Sequence, residues 1–165
     1  MGRRESGFHR KTKRLIAEAG KRLGYDSSCE KSLSVSSKRF QVDAAWLRNG
    51  ELKHVFEVER GFTWDSMHVL GHLVVLNAYA ASKQLKLSCV FVFDENLRTV
   101  SGVSAHSQRL RRTWDWYVKT TSSKSHLAIT TLPIYWNRKF ELNTKNLTVE
   151  SLLDGLTRIV PGIAA

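Results

Sequence analysis

Asp43, Glu57 and Glu59 are the residues of this chain whose types and spacing most directly suggest chemistry. Glu57 and Glu59, two apart in a strand-like run, project from one face because side chains alternate along extended backbone. Between that run and the one before it stands Asn49-Gly50, the strongest short hairpin signal, since both residues tolerate the positive φ of a type I′ turn. Folding the chain there sets position 43 opposite roughly position 56, so Asp43 comes beside Glu57 within a residue or two. Strict pairing leaves the parity unsettled, and a face shared by all three acids needs a bulge or a longer loop. Three carboxylates drawn together repel one another unless a proton or cation compensates them, and an oxygen-only ligand set suits Mg²⁺ or Mn²⁺. The plainer use, a solvated face paired with Arg39, Arg60 or Lys53, is open to the same residues.

The elements that must position these acids are legible from periodicity. Leu15, Ala19 and Leu23 recur at four-residue spacing with Ile16 beside them, which predicts a first helix over Lys11–Leu23, stopped by Gly24. Strand-like runs follow over Glu30–Ser36, Arg39–Arg48 and Glu51–Arg60. In the second of these, alternation puts Phe40, Val42, Ala44 and Trp46 on one face and Asp43 on the other with Gln41 and Ala45. Thr63 has the N-cap chemistry for a long helix from about Trp64 to Lys83, apolar round much of its circumference and so expected to be largely buried. Lys86–Asp94 predicts a central strand covered on both faces, Ser104–Lys119 a helix, and His126–Trp136 a strand that Pro133 pushes to a sheet edge. Leu147–Ile159 predicts a terminal helix. An antiparallel meander followed by an αβαβ half makes an α/β fold, a mixed sheet with helices on both faces. No repeat or linker splits the chain, so a single domain is expected over residues 1–165, with 1–10 as a basic arm.

Val42-Asp43 on the second strand, Glu57-Val58-Glu59 on the third and Glu18 in the first helix together resemble the PD-(D/E)XK nuclease superfamily, with its restriction-endonuclease-like αβββαβ core. The resemblance spans Lys11 to about Asp94. It implies a metal-dependent endonuclease: Asp43 and Glu57 hold Mg²⁺ or Mn²⁺ at a phosphodiester, Glu59 ligates a second ion or accepts the water proton, and Glu18 completes the metal shell. For Glu18 a solvated role, paired with Lys21, Arg22 or Arg14, stands equally open. No Pro precedes Asp43, and Glu59 stands where the family usually has Lys, although some type II restriction enzymes of the superfamily use Glu there and remain active. The same substitution suits an alternative, a noncatalytic nucleic-acid-binding protein of this fold within a larger assembly. Because family members pair their sites to cut both strands, a homodimer is also implied.

Charge gives independent support for a polyanionic partner. The chain carries 26 Lys+Arg against 15 Asp+Glu, a net charge of +11, and such a field attracts nucleic acid before anionic membrane; the resemblance implies DNA ahead of RNA. Arg10, Lys11, Lys13 and Arg14 near the start, and Arg109, Arg111 and Arg112 beside Trp114, Trp116 and Tyr117, are the candidate contacts. The second group also reads as an amphipathic helix that buries Leu110, Trp114 and Tyr117 and turns its arginines outward. His68 and His72, at i, i+4, have the spacing to share a metal, but Val69 breaks the HEXXH pattern, and a place lining the cleft beside the acids is the other use. Cys29 and Cys89 form no disulfide framework or zinc motif, and no apolar segment of signal-peptide or membrane-span length appears, so a soluble, cytoplasmic protein is expected. No phosphate-binding loop, dinucleotide fingerprint or serine-hydrolase elbow is present.

Overall fold

The computed structural model describes residues 7–60, 66–95, 105–135 and 147–164. Their elements follow the order α1 (Gly7–Arg22), β1 (Asp26–Val35), β2 (Lys38–Arg48), β3 (Glu51–Arg60), α2 (Ser66–Ser82), β4 (Leu87–Glu95), α3 (Ala105–Thr121), β5 (Leu127–Tyr135) and α4 (Val149–Ile159). The five strands form one mixed sheet in sequence order, antiparallel from β1 to β3 and parallel from β3 to β5. The two parallel crossovers step in the same direction across the sheet, so right-handed connection puts α2 and α3 on the same face. The opposite face is left to α1 and α4.

Each face has its own core. Val69, Leu73 and Leu76 of α2 and Leu110 and Trp114 of α3 pack on Val55, Phe91 and Phe93. Ile16 and Ala19 of α1 and Leu152 and Leu156 of α4 pack on Trp46, Phe56, Val90 and Val92. β4 therefore alternates between two buried faces, as its unbroken apolar run predicts. β5, carrying Pro133, is an edge strand. Thr148 caps α4 in a capping box with Ser151.

Three expectations are corrected. The basic arm expected over 1–10 is helix from Gly7 onward, since Phe8 packs against the α1–α4 core and extends the first helix by four residues. The helix expected to be largely buried, α2, covers the sheet with one side only: Met67 is 67% exposed and Val75 36%. Apolar composition alone does not supply a second surface to cover it. The strict alternation expected along β2 breaks at Asp43, with Phe40 and Val42 packed toward α2 and Ala44 and Trp46 toward α1. Thr63, the expected N-cap of α2, and Trp136 lie outside the described residues. No helix among the described residues is long and apolar enough to cross a membrane.

α1 is docked on the sheet by close backbone approach. Gly20 packs so tightly that a Cβ there would lie 2.5 Å from Trp46 Nε1 and 2.7 Å from Ser27 Cβ. Trp46 Nε1 donates to the Ile16 carbonyl at 3.0 Å, and Ser27 Oγ donates to the Ala17 carbonyl. These contacts fix the helix axis, and His9 and Lys13, one turn apart on the same side, are thereby carried over Asp43 in the middle of β2.

Candidate active site

The geometry begins with the hairpin. Asn49 and Gly50 adopt φ of 54° and 76°, and β2 and β3 pair as Arg48↔Glu51 and Leu47↔Leu52. The register then shifts between Leu47 and Trp46, and the pairing resumes as Trp46↔His54, Ala45↔Val55 and Ala44↔Phe56. That bulge is the extra residue the parity of the sequence required. Beyond Ala44↔Phe56 it sets Asp43 level with Glu57. On the other side of β2, pairing passes from Cys29↔Ala44 to Lys31↔Val42 and omits Glu30 and Asp43. Glu30 sits there at φ 56°, a left-handed conformation uncommon for a residue with a side chain. Ladder interruptions on both flanks of β2 thus free Asp43 from the alternation.

Asp43 takes the place of a backbone partner: its Oδ2 accepts from the Val58 amide at 2.8 Å and from His9 Nε2 at 3.1 Å. Lys13 Nζ lies 3.9 Å from Asp43 Oδ1 and donates to Glu30 Oε1 at 2.7 Å. With 7% of its side chain exposed, Lys13 has lost several kcal/mol of hydration, which these carboxylates offset. Glu57 is buried, its Oε1 3.5 Å from His72 Nδ1. That separation is an ion-pair contact too long for a hydrogen bond, and His72 Nδ1 is buried without a hydrogen-bond partner. The His68 and His72 rings lie 4.4 Å apart between centroids and tilted by 54° on α2, and one donor atom from each lies within 4.8 Å of one from Glu59. His9, Glu30, Asp43, Glu57, Glu59, His68 and His72 line one open cleft of about 260 Å³ where β2 and β3 part.

The electrostatics follow from burying like charges together. Burial pushes the Glu57 carboxyl up to about 7, with Asp43 and Glu59 adding repulsion and His72 pulling back. Burial also raises Glu59, opposed by His72 and reinforced by Asp43. His72 is raised in turn, first by Glu57 and then, against its own burial, by Glu59 and Asp43. The carboxylates hold charge that nearby protein cations only partly neutralise. That donor set, with Glu59, His68 and His72 close together, fits a divalent cation.

Asp43, Glu57 and Glu59 come together as their spacing suggests, and His68 and His72 line the same cleft. Glu18 does not join them: it is half exposed, pairs with Arg22 at 3.6 Å and borders a separate groove. Five residues beyond Lys13, it stands about 140° round α1 from the side that overhangs β2 with His9 and Lys13. Lys13, expected on the nucleic-acid face, is instead buried among the acids. Arg10, Lys11 and Arg14 line a groove of about 510 Å³ against Val149, on the side of α1 turned away from Lys13. Arg109, Arg111 and Arg112 are exposed on α3, while Leu110 and Trp114 are buried and Tyr117 is half-buried against Trp114. None of these three arginines is among the described residues lining the carboxylate cleft.

Sequence reasoning missed His9 and Glu30 as members of the site. The signal available for His9 was its spacing from Lys13, Ile16 and Gly20, one helical side that has to face the sheet. For Glu30 there was none, because an interrupted ladder leaves no trace in the periodicity. Set against the models of known protein families, against curated proteins and against solved structures, the chain finds no match in any of the three.

Proposed function

We propose that the cleft is the active site of a metal-dependent endonuclease with a restriction-endonuclease-like core, acting on DNA ahead of RNA. The observation that carries this reading is the convergence of Asp43, Glu57 and Glu59 where β2 and β3 separate. The order αβββαβ over α1 to β4 also agrees with the resemblance. A net charge of +11 would be opposed by carboxylates in a binding face unless those carboxylates served a cation.

In this reading Asp43 and Glu57 hold Mg²⁺ or Mn²⁺ beside the scissile phosphate. Such an ion supplies neutralisation of the charge that builds on phosphorus and its oxygens in the transition state. Glu59, raised by burial, either ligates a second ion or accepts the proton of the attacking water. Lys13 brings from α1 the cation that Glu59 displaces from the usual motif position, and with the Val58 amide and His9 it fixes the Asp43 carboxylate. Arg10, Lys11 and Arg14 hold backbone phosphates in the neighbouring groove. A homodimer would pair two such sites to cut both strands.

The test is cleavage of supercoiled plasmid, branched DNA and single-stranded DNA in Mg²⁺, Mn²⁺ or EDTA. Metal-dependent cutting is expected, lost by ~10²-fold or more in Asp43→Ala and Glu57→Ala, with DNA affinity kept or slightly raised. Absence of cutting on every substrate, with affinity unchanged in both variants, would leave the noncatalytic binding protein as the correct reading.

A further inference from the structure

The cleft is chemically uneven. Around Asp43 the candidate donors are the carboxylates of Asp43 and Glu57, with the imidazole of His9 already hydrogen-bonded to Asp43, while at the α2 side two of the three close donors are imidazole nitrogens, from His68 and His72, with Glu59 as the third. Helical spacing accounts for the two rings standing together, but it does not explain why β3 brings the Glu59 carboxylate within 4.8 Å of a donor nitrogen of each.

The dimensions are those of an ion site. Donors bonded to one first-row ion at about 2.0–2.2 Å stand roughly 3–4 Å from each other. The three donors here lie within 4.8 Å of one another, so small side-chain rotations close them on a common centre. His68 is exposed, which leaves that centre open to exchange with solvent. Three protein donors leave further coordination positions free, the arrangement of a working rather than a purely structural site. Mg²⁺ demands oxygen and dehydrates reluctantly, whereas imidazole suits Co²⁺, Zn²⁺ and their neighbours.

We propose that Glu59, His68 and His72 form a binding site for a nitrogen-preferring first-row divalent ion, of the Zn²⁺ and Co²⁺ class, that excludes Mg²⁺. The site shares the cleft of the proposed nuclease but does not depend on phosphodiester hydrolysis. It gives the cleft two ion positions of different character, oxygen-rich at Asp43 and Glu57 and nitrogen-rich at α2.

The experiment uses the full chain without an affinity tag, titrated with Co²⁺ and followed by visible ligand-field absorption and calorimetry. One tightly bound Co²⁺ per chain is expected, displaced by equimolar Zn²⁺ but not by about a hundred-fold excess of Mg²⁺. His68→Ala and His72→Ala each weaken Co²⁺ binding at least about ten-fold, the loss already typical of removing an outer partner of a ligand. His126→Ala, remote from α2's first turns, leaves it unchanged, and Asp43→Asn keeps the ligand-field bands. His68 is exposed, so its variant folds, which circular dichroism checks. Co²⁺ affinity unchanged in His68→Ala, or displacement by equimolar Mg²⁺, would overturn the proposal. Absence of DNA cleavage together with a Co²⁺ site that needs His68 would remove the nuclease reading and leave this one standing.

Discussion

β3 carries a buried ionisable residue near each end, and the two ends treat it in opposite ways. At the start of the strand, His54 sits edge-on to Tyr25 and Trp46, with ring centroids 5.4 and 5.8 Å away. Its Nε2 faces Tyr25 Oη at 3.3 Å, and that hydroxyl donates to the Ile163 carbonyl. Burial first, then Arg48 and Lys53, lowers its pKa to about 4, so it is neutral at ordinary pH. At the far end Glu57 is as deeply buried, yet Asp43, Glu59 and His72 surround it with further titratable groups. One end has shed its charge into aromatic packing. The other has gathered charge that its own cations do not balance. Burial alone therefore does not mark a functional site; burial of groups that still require a counter-ion does.

Gly20→Ala should give the largest stability effect, and it tests the aromatic end. The added methyl meets Trp46 and Ser27 inside contact distance, and overpacking against a ring and backbone costs about 3 kcal/mol, which urea unfolding would measure. A loss below about 0.5 kcal/mol would show that α1 is not seated as described. Because α1 also carries His9 and Lys13, the same variant should lower cleavage at temperatures where it remains folded.

The next effect is a pH dependence. The unfolded chain protonates His54 near 6.5 and the folded chain only near 4, so the unfolded state takes up the proton first. The contribution of neutral His54 is complete above about pH 7, and about 2 kcal/mol of it is lost as pH falls from 6.5 toward 4. His54→Phe should flatten this limb relative to the parent; parallel limbs would show that His54 is hydrated.

Glu57→Gln sharpens the contrast with the opposite sign. In the metal-free protein the buried Glu57 carboxyl has its pKa near 7, above an ordinary carboxylate, so its penalty is absent below about pH 4.5 and grows as pH rises through 7. In EDTA the amide should therefore stabilise the fold by about 2 kcal/mol at pH 8 and by almost nothing at pH 4.5. A destabilised variant at pH 8 would mean that His72 already neutralises Glu57. Glu18→Gln should be the smallest change, within about 0.5 kcal/mol in stability and without effect on cleavage, because its exposed carboxylate pairs only with Arg22 among the cations placed near it. A large drop in cleavage would return Glu18 to the site.

Most of the architecture was legible because it rests on local signals. Asn49-Gly50 set the hairpin, the apolar run of β4 announced a strand buried on both faces, and four-residue spacing marked α1. The acids were legible as candidates because alternation and the turn bring them close whatever the details. The rest depends on contacts that leave no periodic trace. The face of Asp43 turns on a one-residue shift between Trp46 and Leu47 and on an unpaired Glu30, while Glu18 and Lys13 differ in role through the angle at which Gly20 lets α1 approach the sheet.

The sequence by itself determined the order of elements, the mixed sheet and the nearness of Asp43 to Glu57 on neighbouring strands, since these follow from periodicity, turn chemistry and chirality. Only the tertiary structure decided which helix residues enter the cleft. His9 and Lys13 rather than Glu18 reach it from α1, and His68 and His72 reach it from α2. That choice belongs to docking distance and axis angle, set by close packing between elements distant in sequence, and no spacing within a single helix encodes it.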